Sequence, residues 1–384
     1  MRLALLTFHR ANNCGAMLQA WALKYVLEGF GHRVLLPNSN HAGTTKRWRL
    51  RAPLRNKPLA QVFQDLLLWP VWELFAFGVE DLKRLRYSFF SRRYLRPSPA
   101  MTASQMAACC DAAIIGSDQV WNPKCIQREK DIRWCFGEDL PDDFPRLSYT
   151  ASIGDGQLSD CHFRRLQSAA SKYSRLLVRE EFAGVGLLDR CGNGATVVLD
   201  PSFLVLRKEY EKIAYPHRLV SKKYLVVYIV SDVMDGFYEQ VEELANAMNL
   251  EVVFLPAYAH GRFRVPPHSV VAFSPDRFLA YIRDAECVIA CSFHGAAFSL
   301  VYEKPFVALL SQSAAQQSRV ASLLKSLGLE NRIVTKDVNV GLVQAKLEQP
   351  LPMEVFQKLS ELGLRSRRLL RASIEELKAR DQNE

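Results

Sequence analysis

Residues 291–297 read Cys-Ser-Phe-His-Gly-Ala-Ala directly after an apolar run. Small residues at that point let a helix start at once, with Ser292 as its N-cap. The first N–H groups of a helix have no backbone partner and carry partial positive charge, so such an end suits a phosphate or a carboxylate. Ser292 and Gly295 are therefore candidate anion-binding positions. His294, in the same turn, could give or take a proton. The alternative is a capping or structural histidine.

A second dense stretch, residues 116–123, reads Gly-Ser-Asp-Gln-Val-Trp-Asn-Pro. Asp118 is suited to bind sugar hydroxyls or act as a base. Trp121 is suited to stack on a sugar ring, with Gln119 and Asn122 beside it. The alternative is an Asx turn with Trp121 in the core. Arg179 follows another apolar run, where its planar fork suits bidentate recognition of carboxylate or phosphate. Its alternative partners are Glu180 and Glu181.

Asn12-Asn13-Cys14-Gly15 stands where the first helix should begin. It has the position of a phosphate loop, with Asn13 and Gly15 facing the anion, but lacks GxGxxG and the P-loop Lys. Cys14 and Cys291 are candidate nucleophiles, or else buried, inert thiols. No HExxH, GxSxG or kinase motif set occurs, and no His/Asp/Glu cluster has metal-ligand spacing, so no metal is expected.

These residues need a scaffold that holds them at strand ends. Residues 3–7 read as a first strand, 15–27 as a mostly buried helix ended by Gly29 or Gly31, and 34–36 as a second strand. A β-loop-α-β start of this kind opens a parallel, doubly wound sheet. Strands are predicted again at 112–115, 147–152, 176–178 and 197–199, each followed by a polar or Gly-rich loop. That pattern puts functional groups at the carboxyl ends of the strands.

A second block repeats the pattern. Strands are predicted at 225–230, 252–255, 287–290 and 306–310, and helices at 237–248, 294–302 and 318–327. Ser274-Pro275 starts another helix, and a long charged helix runs from 354 to about 380. The chain thus divides into an N-terminal α/β domain (1–205), a C-terminal α/β domain (222–345) and a C-terminal helix (350–384). The first domain carries a basic, aromatic insertion at residues 38–96.

A chain of 384 residues is too long for one ordinary core, which agrees with two domains. Hydrophobic content of 49% and charge of 23% exclude disorder, collagen and coiled coil. Nine irregularly spaced cysteines without a CxxC pair argue against a zinc ribbon and for reduced thiols in the cytoplasm. The opening apolar run is too short for a signal peptide. No stretch approaches the roughly 20 apolar residues of a membrane span.

Most of the net charge of +10 is local: Asn38 to Arg96 holds twelve Lys and Arg against four Asp and Glu. Lys46, Arg47, Arg49, Arg51, Arg55 and Lys57 surround Trp48, an apolar stretch follows at 66–75, and more cations follow from Lys83. Residues 46–96 therefore suit an anionic partner, either an acidic glycan or the inner-membrane surface met peripherally. The alternative is a helix packed on the core beside a charged loop. No nucleic-acid motif accompanies the cations, so no nucleic-acid partner is expected.

Taken in order, these pieces resemble the polysaccharide pyruvyl transferase family. The matching stretches are 13–23 (with Cys14 where many members have Tyr), 116–122, 149–154, 178–180, 199–201, 292–295 and Lys304-Pro305-Phe306. The resemblance implies two Rossmann-like domains in a GT-B-like arrangement, with the active site in the interdomain cleft. It also implies transfer of an enolpyruvyl-derived group from phosphoenolpyruvate to two sugar hydroxyls. The product would be a pyruvate ketal on a cell-surface polysaccharide or its lipid-linked oligosaccharide precursor. Phosphoenolpyruvate would be the donor substrate, with no further cofactor.

On that view His294 and Asp118 are catalytic. Arg179, Ser292, Gly295, Asn13 and Gly15 bind the donor, and Gln119, Trp121 and Asn122 the acceptor. One departure stands out: members often carry Arg-Leu-His where this chain has Ser292-Phe293-His294. The missing cation would have to come from Arg283, Lys304 or Arg319. Two other functions fit the same architecture, a glycosyltransferase using a nucleotide sugar and a non-catalytic glycan or membrane-surface module.

Overall fold

β1 (Arg2–Leu6), β3 (Ala112–Ile115) and β4 (Arg146–Ala151) are buried almost throughout, as strands covered by helices on both faces of a parallel sheet must be. With β2 (Arg33–Leu35), β5 (Leu176–Val178) and β6 (Ala195–Val197) they form a six-stranded, all-parallel sheet in the order β2-β1-β3-β4-β5-β6. Side chains alternate across it. Leu3, Leu5, Ile114 and Leu177 enter one core, and Ala4, Leu6, Ile115 and Val178 the other. The connections carry α1 (Cys14–Gly29), α2 (Ala103–Cys109), α3 (Glu129–Phe136) and α4 (Asp160–Ala170). This computed structural model describes all residues except 11, 39–78, 80, 127, 155–157, 180–193, 231–232, 234–235, 258–265, 267, 311–313, 335–338 and 382–384.

After α5 (Arg207–Ile213) a second parallel sheet follows. It comprises β7 (Tyr224–Ile229), β8 (Glu251–Pro256), β9 (Cys287–Cys291), β10 (Phe306–Leu309) and β11 (Ile333–Val334), in the order β11-β10-β9-β7-β8. It is wrapped by α6 (Phe237–Ala247), α7 (Pro275–Asp284), α8 (Phe293–Val301), α9 (Ala314–Leu327) and α10 (Val340–Glu348). Each sheet reverses its strand order once, at β1/β3 and at β7/β9. The crevice beyond the carboxyl ends of strands at such a reversal is where open α/β sheets bind ligands.

Three features join the two halves. Tyr210 of α5 is fully buried, its ring 5.2 Å from Trp21 of α1 and 5.2 Å from Phe298 of α8. Each such aromatic pair adds about 1 kcal/mol beyond the area it buries. The long helix α11 (Met353–Asp381) crosses back to the N-terminal half. There Ser366 Oγ accepts from Leu199 N at 3.0 Å, and Arg367 Nη1 donates to Leu204 O at 2.8 Å. Residues 81–90 are helical and run into a π-helical turn, Ser91–Leu95, closed by Arg96 at a φ of 49°. From this helix Lys83 Nζ donates to Ala257 O and Arg86 Nη1 to Ala272 O, both in the C-terminal half.

Most predicted elements are present, with ends moved by one or two residues, although the helix expected from 318 already begins at Ala314. The strand expected at 197–199 lies earlier, as β6 at Ala195–Val197. Leu199 N is taken by the Ser366 side chain, and the chain then turns into a 3₁₀ segment, Pro201–Phe203, N-capped by Asp200. The basic cluster 46–57 and the apolar stretch 66–75 lie outside the described residues. Two later cations of that segment, Lys83 and Arg86, are not surface charges as expected but are turned inward onto carbonyls. The eight described cysteines are all free. No described helix is long and apolar enough to cross a membrane.

Candidate active site

Gly116 directly follows β3 with a φ of 121°, and a Cβ there would overlap Tyr149 O, so only glycine allows the chain to turn beside β4. The Gly116–Ser117 peptide is cis, and Asp118 follows in the left-handed region (φ 70°). A buried polar ring fixes this loop against β1 and α1. Thr7 Oγ1 donates to Ser117 O (3.2 Å), Gln19 Nε2 donates to Thr7 Oγ1 (3.2 Å) and Ala16 O (2.7 Å), and Ser117 Oγ donates to Gln19 Oε1. Buried hydrogen-bond rings of this kind hold one geometry, because leaving any member unpaired is costly.

Two helix starts meet opposite that loop. Asn13 caps α1, its side chain accepting from Ala16 N at 3.2 Å. Ser292 caps α8, its Oγ accepting from Gly295 N at 3.0 Å. Gly295 packs tightly, since a Cβ would stand 3.1 Å from Ala290 Cβ and 3.2 Å from Tyr228. A Cβ on Gly15 would overlap the Nδ1 and Cγ of His294. The His294 ring therefore lies directly on the first turn of α1 while standing in the first turn of α8.

His294 is buried, and among the described residues its Nε2 has no hydrogen-bond partner. Burial pushes its pKa below the ordinary 6.5; the carboxylates of Asp200 and Asp118 oppose this, while Arg179 and Arg319 reinforce it. The imidazole is thus held neutral near neutral pH, within electrostatic reach of two carboxylates and two guanidiniums.

Arg179 follows β5. Its Nη1 donates to Asp200 Oδ2 at 3.2 Å, its Nη2 stands 3.8 Å from Asp118 Oδ1, and its guanidinium lies 5.0 Å from the centre of the Phe293 ring. The partners found are therefore Asp118 and Asp200; Glu180 and Glu181 lie outside the described residues. Asp200 also accepts from Ser202 N at 3.0 Å. Burial raises the Asp200 carboxyl, but the charges of His294 and Arg179 and the bonds from Ser202 outweigh it and keep its pKa below the ordinary value.

The structure brings together His294, Asp118, Arg179, Asn13, Gly15, Ser292 and Gly295. Gln119 joins them through Arg319. With the Gln119 amide oxygen turned toward it, Arg319 Nη2 and Nη1 lie 3.1 and 3.2 Å away. Of the three cations expected to stand in for the missing arginine, Arg319 reaches the cleft. Arg283 instead pairs with Asp284 and donates to Tyr215 O, and Lys304 lies among Arg207, Glu286 and Asp284.

Trp121 does not line the site. It is 1% exposed, donates from Nε1 to Cys135 O at 3.2 Å, and is flanked by Phe136 and Tyr173, which leaves no face for a sugar ring. Asn122 is buried under Gly154, and its Oδ1 accepts from Lys124 N at 2.9 Å, the Asx turn weighed as the alternative. Burial pushes the Cys14 and Cys291 thiols up to about 12, so both are inert at neutral pH. Asp200, central to the network, falls in the matching stretch 199–201 but was given no role of its own, although Asp-Pro-Ser is a helix-start signal.

The family model for polysaccharide pyruvyl transferases matches residues 13–313. The chain belongs to that family. The match takes in every residue of the network except Arg319. No curated protein matches the sequence. Among solved structures, UDP-N-acetylglucosamine 2-epimerase from Rickettsia bellii is similar in fold, with a TM-score of 0.53 at 12% identity, covering 98% of this chain and 96% of that one. The UDP-GlcNAc 2-epimerase of Methanocaldococcus jannaschii is similar with a TM-score of 0.50 at 11% identity, covering 96% and 99%. This pyruvyl transferase family member thus has the expected α/β fold, two Rossmann-like domains in a GT-B-like arrangement.

Proposed function

We propose that the protein transfers the three-carbon unit of phosphoenolpyruvate to two hydroxyls of one sugar, forming a pyruvate ketal and inorganic phosphate. The acceptor is a cell-surface polysaccharide or its lipid-linked precursor, met in the cytoplasm, where phosphoenolpyruvate is made. The observation that carries this is the convergence of the α1 and α8 starts on His294, beside Arg179 and Arg319. Such an arrangement suits a small molecule bearing both a phosphate and a carboxylate.

Protonation of the donor's methylene carbon makes it a methyl group and leaves positive charge on C2. The first hydroxyl oxygen bonds to C2 and releases its proton. The bond from C2 to the phosphate oxygen then breaks, and the second hydroxyl oxygen bonds in its place, releasing a second proton. One released proton replaces that used at carbon, and the other leaves with phosphate.

His294 fits the acid–base role. It is neutral when the site is free, and an adjacent bound polyanion raises its pKa and loads it with a proton. Asp118 accepts a hydroxyl proton. Arg179, shared between Asp118 and Asp200, orients both carboxylates and helps keep Asp200 ionised. Arg319 and the two helix starts balance the donor's charge.

Ligand-dependent thermal unfolding tests this. Phosphoenolpyruvate at 100 times its dissociation constant should stabilise the protein by roughly 2.7 kcal/mol. His294→Ala and Arg179→Ala should abolish that shift. Stabilisation by nucleotide sugars alone would identify a glycosyltransferase instead. No shift with any donor would favour a non-catalytic binding module.

A further inference from the structure

We propose that the outer face of the helical segment 81–95 docks the protein on an anionic lipid surface. Leu82, Leu85 and Phe89 recur at helical spacing and so share one face. They are 41%, 67% and 63% exposed, whereas Lys83, Tyr87 and Phe90 on the inner side are buried. An ordinary surface helix turns polar groups outward; this one is apolar on both sides.

The cations of the segment fall into two sets. Lys83 and Arg86 reach inward to Ala257 O and Ala272 O, and Arg84 pairs with Asp81 at 3.4 Å. Arg92, Arg93 and Arg96 are exposed where the apolar ridge runs into the π-helical turn. No Asp or Glu occurs between Leu82 and Arg96. Large apolar side chains set beside guanidiniums match the boundary between acyl chains and anionic headgroups. A second copy of the chain fits less well, because an isologous contact would bring the same three arginines face to face.

The segment is also tied to the cleft. Tyr87 Oη lies 2.8 Å from the Sγ of Cys14, the first residue of α1. A surface docked here would stand one helix away from His294, within reach of an acceptor carried on a lipid.

The test is co-sedimentation of the full chain with vesicles of phosphatidylcholine alone or with about 30% phosphatidylglycerol, at low and high salt. The expected result is binding to the anionic vesicles that weakens at high salt. R92E/R93E should reduce it by roughly tenfold or more, and L85S/F89S should reduce it as well. Circular dichroism and the melting temperature of both variants should match the parent protein. Equal binding to neutral and anionic vesicles, or folded variants that bind like the parent, would overturn the proposal. So would light scattering that shows a dimer dissolved by L85S/F89S with vesicle binding unchanged, which would assign the face to a second copy. Vesicle binding needs no donor, so its outcome is independent of the donor assignment.

Discussion

Gly15 and His294, on opposite sides of the cleft, pack so closely that a methyl group on the glycine would overlap the imidazole. One belongs to the first turn of α1 and the other to the first turn of α8. The alanine variant at position 15 should keep α1 intact, since alanine favours helix over glycine by about 1 kcal/mol. It should nevertheless push the His294 ring aside, and misplacing a reacting group by an ångström can lower turnover about a hundredfold. Steady-state kinetics with unchanged circular dichroism would show this; a G15A enzyme with parental turnover would separate His294 from the chemistry.

His294 also sets how the fold responds to mild acid. Its pKa is lower in the folded protein than the ordinary 6.5, so the unfolded chain binds the proton more readily. The associated stability is complete above pH 6.5 and is lost as pH falls through the folded pKa. Asp200, also lowered, contributes in a separate window, losing its share only as pH drops below its ordinary 3.8. Melting temperatures of the parent and His294→Gln should therefore converge as pH is lowered from 7.5 toward 5. Parallel curves over that range would show that the buried imidazole is not the source.

Asp200→Asn keeps the shape that accepts from Ser202 N but removes the charge paired with Arg179. Breaking a buried ion pair by removing one partner costs about 3 kcal/mol or more. Denaturant unfolding should report a loss of that order. A loss under about 1 kcal/mol would mean that Asp118 alone satisfies Arg179.

Arg319 lies beyond the matched residues 13–313 yet faces Gln119. A charge-assisted hydrogen bond contributes about 1.5–3 kcal/mol. Arg319→Ala should therefore raise the KM for phosphoenolpyruvate roughly ten- to hundredfold, and Arg319→Lys should recover part of it. An unchanged KM would leave donor binding to the helix starts and Arg179.

The strand–loop–helix rhythm was legible in the sequence because strands buried on both faces are continuous apolar runs, such as Tyr-Leu-Val-Val-Tyr-Ile in β7. The cluster around His294 was legible because small residues and a serine cap mark an abrupt helix start. Trp121 was not, since an indole in a polar loop looks the same whether it faces a sugar or folds back onto Phe136 and Tyr173. Asp200 escaped for another reason, and Arg319 was one of three candidate cations between which the sequence could not choose. Their roles arise from contacts between segments far apart in sequence, which local patterns do not encode.

Because α11 returns to the N-terminal half, the backbone passes between the halves twice, once through residues 198–223 and again ahead of Ser366. With two such passages, the meeting of the α1 and α8 starts at His294 does not hang on a single linker.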